Sequence, residues 1–292
     1  MPDDAGVTAH IIDPTTTHTH TIIFLHGRGD DGPGFAEEFL SSFNQSELEQ
    51  GETLLARLPS SRWVFPSAPV RWSTVFEENL SAWFDDLAPS DSTGSGEKIQ
   101  IDAIMDLVAQ ISEIIDDEVS RLGGRSDRIV LGGISQGAAL ALWVLLSQAS
   151  RNPHGSRLGG FVGASCWLPF ACGVKSFMAN FEGRSTNIEL NCTPSSPQHF
   201  MDSVLSSLMN GTGNHALAST PVFLGHGTDD AYVDVSLGRE ARDLLISLGF
   251  ENLLWREYTG AEQEGHWFKE PEQFDDIANF LVTILTEQSP TM

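Results

Sequence analysis

Residues Gly133-Ile134-Ser135-Gln136-Gly137 constrain this chain more than any other stretch, because of what flanks them. The run 128–132 is compact and apolar and reads as a buried strand, while 136–150 is apolar nearly all round and reads as a buried helix. A chain that leaves a strand and enters a helix within so few residues must turn sharply, and the serine at the apex is held in a strained backbone conformation. Strand and helix then run so close that the positions two before and two after the serine have no space for a side chain. Glycine stands at both. Such a junction belongs to α/β folds, in which each strand of a parallel sheet feeds a helix.

The rest of the chain follows the same pattern. Further short apolar runs at 21–25, 62–65, 160–166, 221–224 and 253–258 each close on turn chemistry. Apolar residues recur at helical spacing from Ile101 to Val119, with Asp102, Asp106, Glu113 and Asp117 between them, and 234–248 and 271–287 read as amphipathic outer helices. This alternation predicts an α/β fold with a mostly parallel central sheet and helices on both faces. No internal repeat occurs, so 1–292 reads as one domain with loop insertions at about 86–98 and 171–220. The second insertion is rich in Ser, Asn, Thr and Gly and is long for a structureless connection. Its apolar patch predicts a short helix over 201–208, and the segment reads as a lid.

Forty acidic side chains against sixteen basic ones give a formal charge of −24, which repels phosphate backbones and anionic headgroups. A nucleic-acid partner is not expected. There is no run of eighteen apolar residues, so no stable membrane insertion is expected either. The first twenty residues lack the basic and apolar regions of a secretory leader, and the expected location is cytoplasmic. Cys166, Cys172 and Cys192 are odd in number without CxxC spacing, so they read as reduced thiols and not as disulfides or a zinc site. His18 and His20 alternate on a strand-entry segment but have no matching third ligand, and no metal is expected.

A serine hydroxyl is a weak nucleophile until a base accepts its proton and an acid orients that base. His266 in Glu264-Gly265-His266-Trp267 falls between the last expected strand and the last helix, in a loop at the sheet edge where Ser135 would sit. Asp229 and Asp230 follow the strand 221–224 and reach the same edge if the strands are parallel; one of them serves as the acid. The chain order of serine, aspartate and histidine is that of α/β-hydrolases. Backbone amides aimed at the developing oxyanion supply about 3 kcal/mol each. The candidates are the amide of Gln136, at a helix N-terminus, and that of Arg28, in the glycine-flanked loop after the strand 21–25. His26, at that strand's end, reads as a structural hydrogen-bonding residue and not as the base.

In this order, LHGRGD, FPSAPVRW, WFDD, GGISQGAAL, SCWLP, HGTDD and the GH of EGHW resemble the acyl-protein thioesterase and bacterial carboxylesterase family, also called phospholipase/carboxylesterase. The resemblance covers roughly residues 20–286 outside the loops. It implies an α/β-hydrolase fold and cleavage of esters or thioesters, on small molecules or acylated proteins, without a cofactor. The family's nucleophile falls on Ser135, its acid on Asp230, its base on His266 and its oxyanion amides on Arg28 and Gln136. Trp83 and Trp167 match positions that line or buttress the acyl site.

Two departures bear on substrate and not on chemistry. Family members commonly carry Leu where Arg28 stands, and their connection between the CWLP and HGxxD motifs is much shorter than 168–225 here. A guanidinium at that position suits a carboxylate or phosphate near the scissile bond, so Arg28 is also read as a substrate-binding residue. Acyl transfer or lactonisation by the same residues, and a non-catalytic small-molecule receptor on the same fold, are the alternative readings.

Overall fold

The computed structural model describes residues 6–42, 53–85, 95–151, 157–181, 198–210 and 214–287. Its elements run in the order β1 (Thr8–Ile12), β2 (His20–Leu25), α1 (Gly32–Ser42), α2 (Leu54–Arg57), β3 (Ser61–Ser67), β4 (Val70–Ser73), β5 (Glu78–Ser81) and α3 (Ser95–Arg121). There follow β6 (Ile129–Ile134), α4 (Ser135–Arg151), β7 (Gly160–Ala164), α5 (Ala171–Phe181), α6 (Gln198–Asn210) and α7 (Asn214–Ala218). The chain closes with β8 (Val222–Gly227), α8 (Val235–Ser247), β9 (Leu253–Tyr258) and α9 (Glu272–Glu287).

Seven of the described strands form one sheet in the order β1-β3-β2-β6-β7-β8-β9. Only β1 runs antiparallel, against β3; every other neighbouring pair is parallel. The expected strands are β2, β3, β6, β7, β8 and β9. Two features were not foreseen: β1, a short edge strand with mostly exposed positions, and the separate hairpin β4–β5, whose Val70 and Trp72 face solvent. Neither presents the continuous apolar run that marks a strand buried on both faces.

Along β2 every residue is buried, and its side chains alternate between two cores. Ile22 and Phe24 face α1 and α9, packing with Phe35, Phe39, Phe274 and Leu281. Ile23 and Leu25 face α3 and α4, with Ile104, Ile111, Leu140 and Trp143. Helix α4 lies between the sheet and α3 and α6, so all its sides are covered, and that is why its sequence is apolar all round.

The helix expected over 201–208 is α6, which extends over Gln198–Asn210 and buries Met201, Val204, Leu205 and Leu208 toward α4. Phe200 sits 5.6 Å, ring to ring, from Trp143 of α4. Of the two stretches read as loops, 86–94, 182–197 and 211–213 lie outside the described residues, as does Cys192. Helix α3 begins at Ser95, inside the stretch read as loop to 98. Among the described residues no helix is long and apolar enough to cross a membrane.

Sheet growth reverses beside β2: β3 adds on one side, and β6 to β9 add on the other. Loops leaving the C-terminal ends of β2 and β6 therefore diverge, and a crevice opens at that edge.

Candidate active site

Ser135 stands at the end of β6 and begins α4, with φ of 54°. A non-glycine residue in this region costs about 1–3 kcal/mol, which surrounding contacts must offset. The turn is so tight that a β-carbon on Gly133 would lie 2.6 Å from Leu25 O, and one on Gly137 would lie 2.3 Å from His26 O. The hydroxyl is thereby presented above the sheet edge, beside the first unpaired amides of α4.

An imidazole and its carboxylate partner come from the next loops. After β8 the chain turns at Asp230, whose Oδ1 accepts the backbone N–H groups of Tyr232 and Val233, each at 2.9 Å. His266 Nδ1 lies 2.8 Å from Asp230 Oδ2 and 3.0 Å from Oδ1. Burial alone would raise the Asp230 carboxyl, but hydrogen bonds from His226, His266 and the Val233 amide outweigh it and hold the group well below the usual carboxylate range. A carboxylate only accepts, so Nδ1 of His266 carries the ring hydrogen and Nε2 keeps its lone pair. Gln263, Glu264 and Gly265, with φ of 49°, 56° and 84°, wind the tight turn that delivers His266. Asp229 does separate work: its Oδ2 accepts the N–H of Gly260 at 2.9 Å and ties this loop to the one after β8.

His26 is wholly buried, and that burial pushes its imidazole below the ordinary histidine range. Its Nε2 accepts the N–H of Ala68 at 2.9 Å, so Nδ1 bears the hydrogen and donates to Gly27 O at 2.6 Å. It is a brace for the loop 27–29, as its position at a strand end led us to expect. The same loop is held by Gly29 N–H to Ser81 O at 2.8 Å and by Trp83 Nε1–H to His26 O at 2.8 Å. Gln136 adds its side chain: Oε1 accepts from Trp83 N and Nε2 donates to Phe84 O. Trp83 is thus buried behind the site, joining the Arg28 loop to Gln136, and it buttresses the cleft without lining it.

The cleft itself has a volume of about 1100 Å³ and is lined by Arg28, Ser135, Gln136, Trp167, Tyr232 and His266, among others. Asp230 sits behind His266 with its side chain fully buried. The Arg28 guanidinium carbon lies 4.6 Å from the centre of the Phe76 ring on the β4–β5 hairpin. Asp30, Glu38 and Glu264 also line the cleft. Burial raises the Glu38 carboxyl, and the nearby charges of Asp30, Glu262 and Glu270 raise it further. His18 and His20, away from the cleft, bond to the hydroxyls of Thr21 and Thr19.

Some contributors lay beyond sequence reading. Tyr232, whose ring centre is 5.3 Å from that of His266, and the side-chain role of Gln136 carry no local pattern that would have exposed them. His226 does stand inside the HGTDD motif, and that proximity to the acid was the available signal.

A hydroxyl at the end of a central strand, sharing one cleft with a carboxylate-bound imidazole, is what a serine hydrolase of the α/β-hydrolase fold requires, and the mostly parallel sheet belongs to that class. Comparison with known proteins narrows the class. The sequence model of the Phospholipase/Carboxylesterase family matches residues 7–197, more than half of the chain, and the protein belongs to that family. It is similar to acyl-protein thioesterase 1 of Yarrowia lipolytica, 29% identical over 268 residues, which span 90% of this chain and 91% of that protein. Acyl-protein thioesterase 1 of Schizosaccharomyces pombe is 31% identical over 204 residues, covering 70% and 79%. The crystal structure of Zea mays acyl-protein thioesterase 2 superposes with a TM-score of 0.63 at 26% identity, over 96% of this chain and all of that one. The protein is therefore a serine hydrolase of ester or thioester bonds.

Proposed function

We propose that Ser135, His266 and Asp230 act as nucleophile, base and orienting acid on acyl esters or thioesters, including those of acylated proteins. His266 Nε2 takes the hydroxyl proton as Ser135 Oγ attacks the acyl carbon. The backbone amides of Arg28 and Gln136 receive the oxyanion. Collapse of the tetrahedral adduct expels the thiol or alcohol, which leaves with the proton held on His266. Water then gives a proton to the same nitrogen as it attacks the acyl-enzyme, and His266 passes that proton to Ser135 Oγ as the acid is released. No cofactor enters these steps.

The observation that carries this reading is the paired contact of Asp230 with His266 Nδ1, in a cleft that also exposes Ser135. Trp167 and the Arg28 side chain contact substrate, and Trp83 supports the site from behind. Residues 1–292 act as one hydrolase unit. The cytoplasm is the setting, in keeping with the free thiols of Cys166 and Cys172. The acylated-protein substrate is supported by the names of the relatives, and an ester and thioester panel of graded chain length tests it. Fluorophosphonate should label Ser135, and Ser135→Ala and His266→Ala should each lower kcat by about a thousandfold with the fold retained. Near wild-type turnover in either folded variant refutes the assignment.

A further inference from the structure

His226 lies one residue from the end of β8 and is wholly buried beneath the Asp230 loop. Its Nε2 is 2.8 Å from Val233 O and 3.4 Å from Asp230 Oδ2. Both neighbours are acceptors, so Nε2 carries the ring hydrogen and shares it between a short limb and a longer one. The other nitrogen, Nδ1, is buried without a hydrogen-bond partner among the described residues and abuts Gly238 of α8, where a β-carbon would come within 2.3 Å of it. A buried polar atom left unpaired is destabilising, and an apolar ring of similar size would avoid that cost. What the imidazole supplies in return is the Nε2–H.

The Asp230 carboxylate shows where that hydrogen matters. Its Oδ1 is fixed by two backbone amides, whereas Oδ2, the oxygen nearer His266, accepts from no backbone amide among the described residues. A carboxylate tied through one oxygen can still swing about that anchor. The imidazole of His226 meets the swinging oxygen. It also holds Val233 by its carbonyl, and the amide of that residue is one of the two that anchor Oδ1. We propose that His226 is a positioning residue for the hydrolytic reaction: it fixes the plane of the Asp230 carboxylate from below, and through it the direction in which His266 Nε2 faces Ser135. This inference rests on Asp230 being the acid that orients His266.

The test compares His226→Met, which fills the volume without a donor, with His226→Gln, whose amide carries an N–H to nearly the same place. Turnover of a neutral short-chain ester is measured on folded protein, with melting temperature recorded for each. His226→Met should lower kcat about tenfold to a hundredfold with KM within about twofold, because misdirection of the base affects the reaction step and not ground-state binding. His226→Gln should restore most of the lost kcat. Wild-type kcat in His226→Met, an equal loss in both variants, or a loss confined to KM overturns the proposal. If His226→Met does not fold, Gly238→Ala displaces the ring from the α8 side, and the same kcat loss at unchanged KM is expected; folded Gly238→Ala with wild-type kcat overturns it. Asp230→Asn run in parallel separates the two readings. An active Asp230→Asn removes the orienting acid itself, while an inactive Asp230→Asn beside a fully active His226→Met defeats only the role of His226.

Discussion

Asp230 engages His266 with both carboxylate oxygens, Oδ2 at 2.8 Å and Oδ1 at 3.0 Å from Nδ1, while the adjacent Asp229 turns away to accept the N–H of Gly260. Neighbours in sequence thus hold different parts of one site. Asp230→Asn should lower kcat by about a thousandfold or more, because the amide no longer selects the productive imidazole tautomer. Asp229→Asn should keep kcat within severalfold and leave the melting temperature nearly unchanged, because the amide oxygen can still accept the Gly260 N–H. Steady-state kinetics and thermal melts of the two variants check this, and a larger kcat loss in Asp229→Asn reverses the assignment.

Asp230 also links stability to pH. Its carboxyl in the folded protein is held below the usual carboxylate range, chiefly because hydrogen bonds from His226, His266 and Val233 outweigh the effect of burial. A depressed folded pKa gives stabilisation that is complete above the unfolded value of about 4 and is lost as pH falls through the folded one. The difference in melting temperature between wild type and Asp230→Asn should therefore be constant above about pH 5 and shrink below about pH 4. A difference that widens in acid would contradict the hydrogen-bonding pattern seen at this carboxylate.

At Gly137 there is no room for even one methyl group, since it would fall 2.3 Å from His26 O and 2.6 Å from Leu25 O. Both acceptors are backbone, so the strand end or α4 must shift. Gly137→Ala should destabilise the protein by about 1–3 kcal/mol and lower kcat by disturbing the loop that carries the Arg28 amide. Denaturant unfolding together with kcat measures both effects, and unchanged values would show that the turn yields more readily than its contacts imply.

Arg28 lies along Phe76 and lines the cleft together with Asp30, Glu38 and Glu264. We expect Arg28→Leu to lower kcat/KM for esters bearing a carboxylate or phosphate by about tenfold, equivalent to about 1.4 kcal/mol, and to spare neutral short-chain esters. Equal losses on both substrate types would assign the guanidinium to bracing the β4–β5 hairpin.

By itself the sequence determined the parts of this protein whose physics is local. The elbow is legible because strand, turn and helix are contiguous and the steric demand falls on residues two positions away, Gly133 and Gly137. The buried parallel strands are legible because covering both faces of a sheet demands an unbroken apolar run, and His266 because it follows the last of them. Whatever depends on distant segments meeting was decided only by the tertiary structure. Local chemistry left two consecutive aspartates open and only the motif resemblance singled out Asp230; that it faces the imidazole depends on how the loop after β8 folds against the loop after β9, which the β8–β9 register brings together. Trp83 is a buttress because its indole N–H reaches His26 O across 57 positions of chain. His226 reads in sequence as one more motif residue, and only the packing of β8 under α8 points its Nε2–H at Asp230 and leaves Nδ1 against Gly238. Side-chain direction at such places follows from the summed packing of both cores, and no short-range spacing encodes that sum.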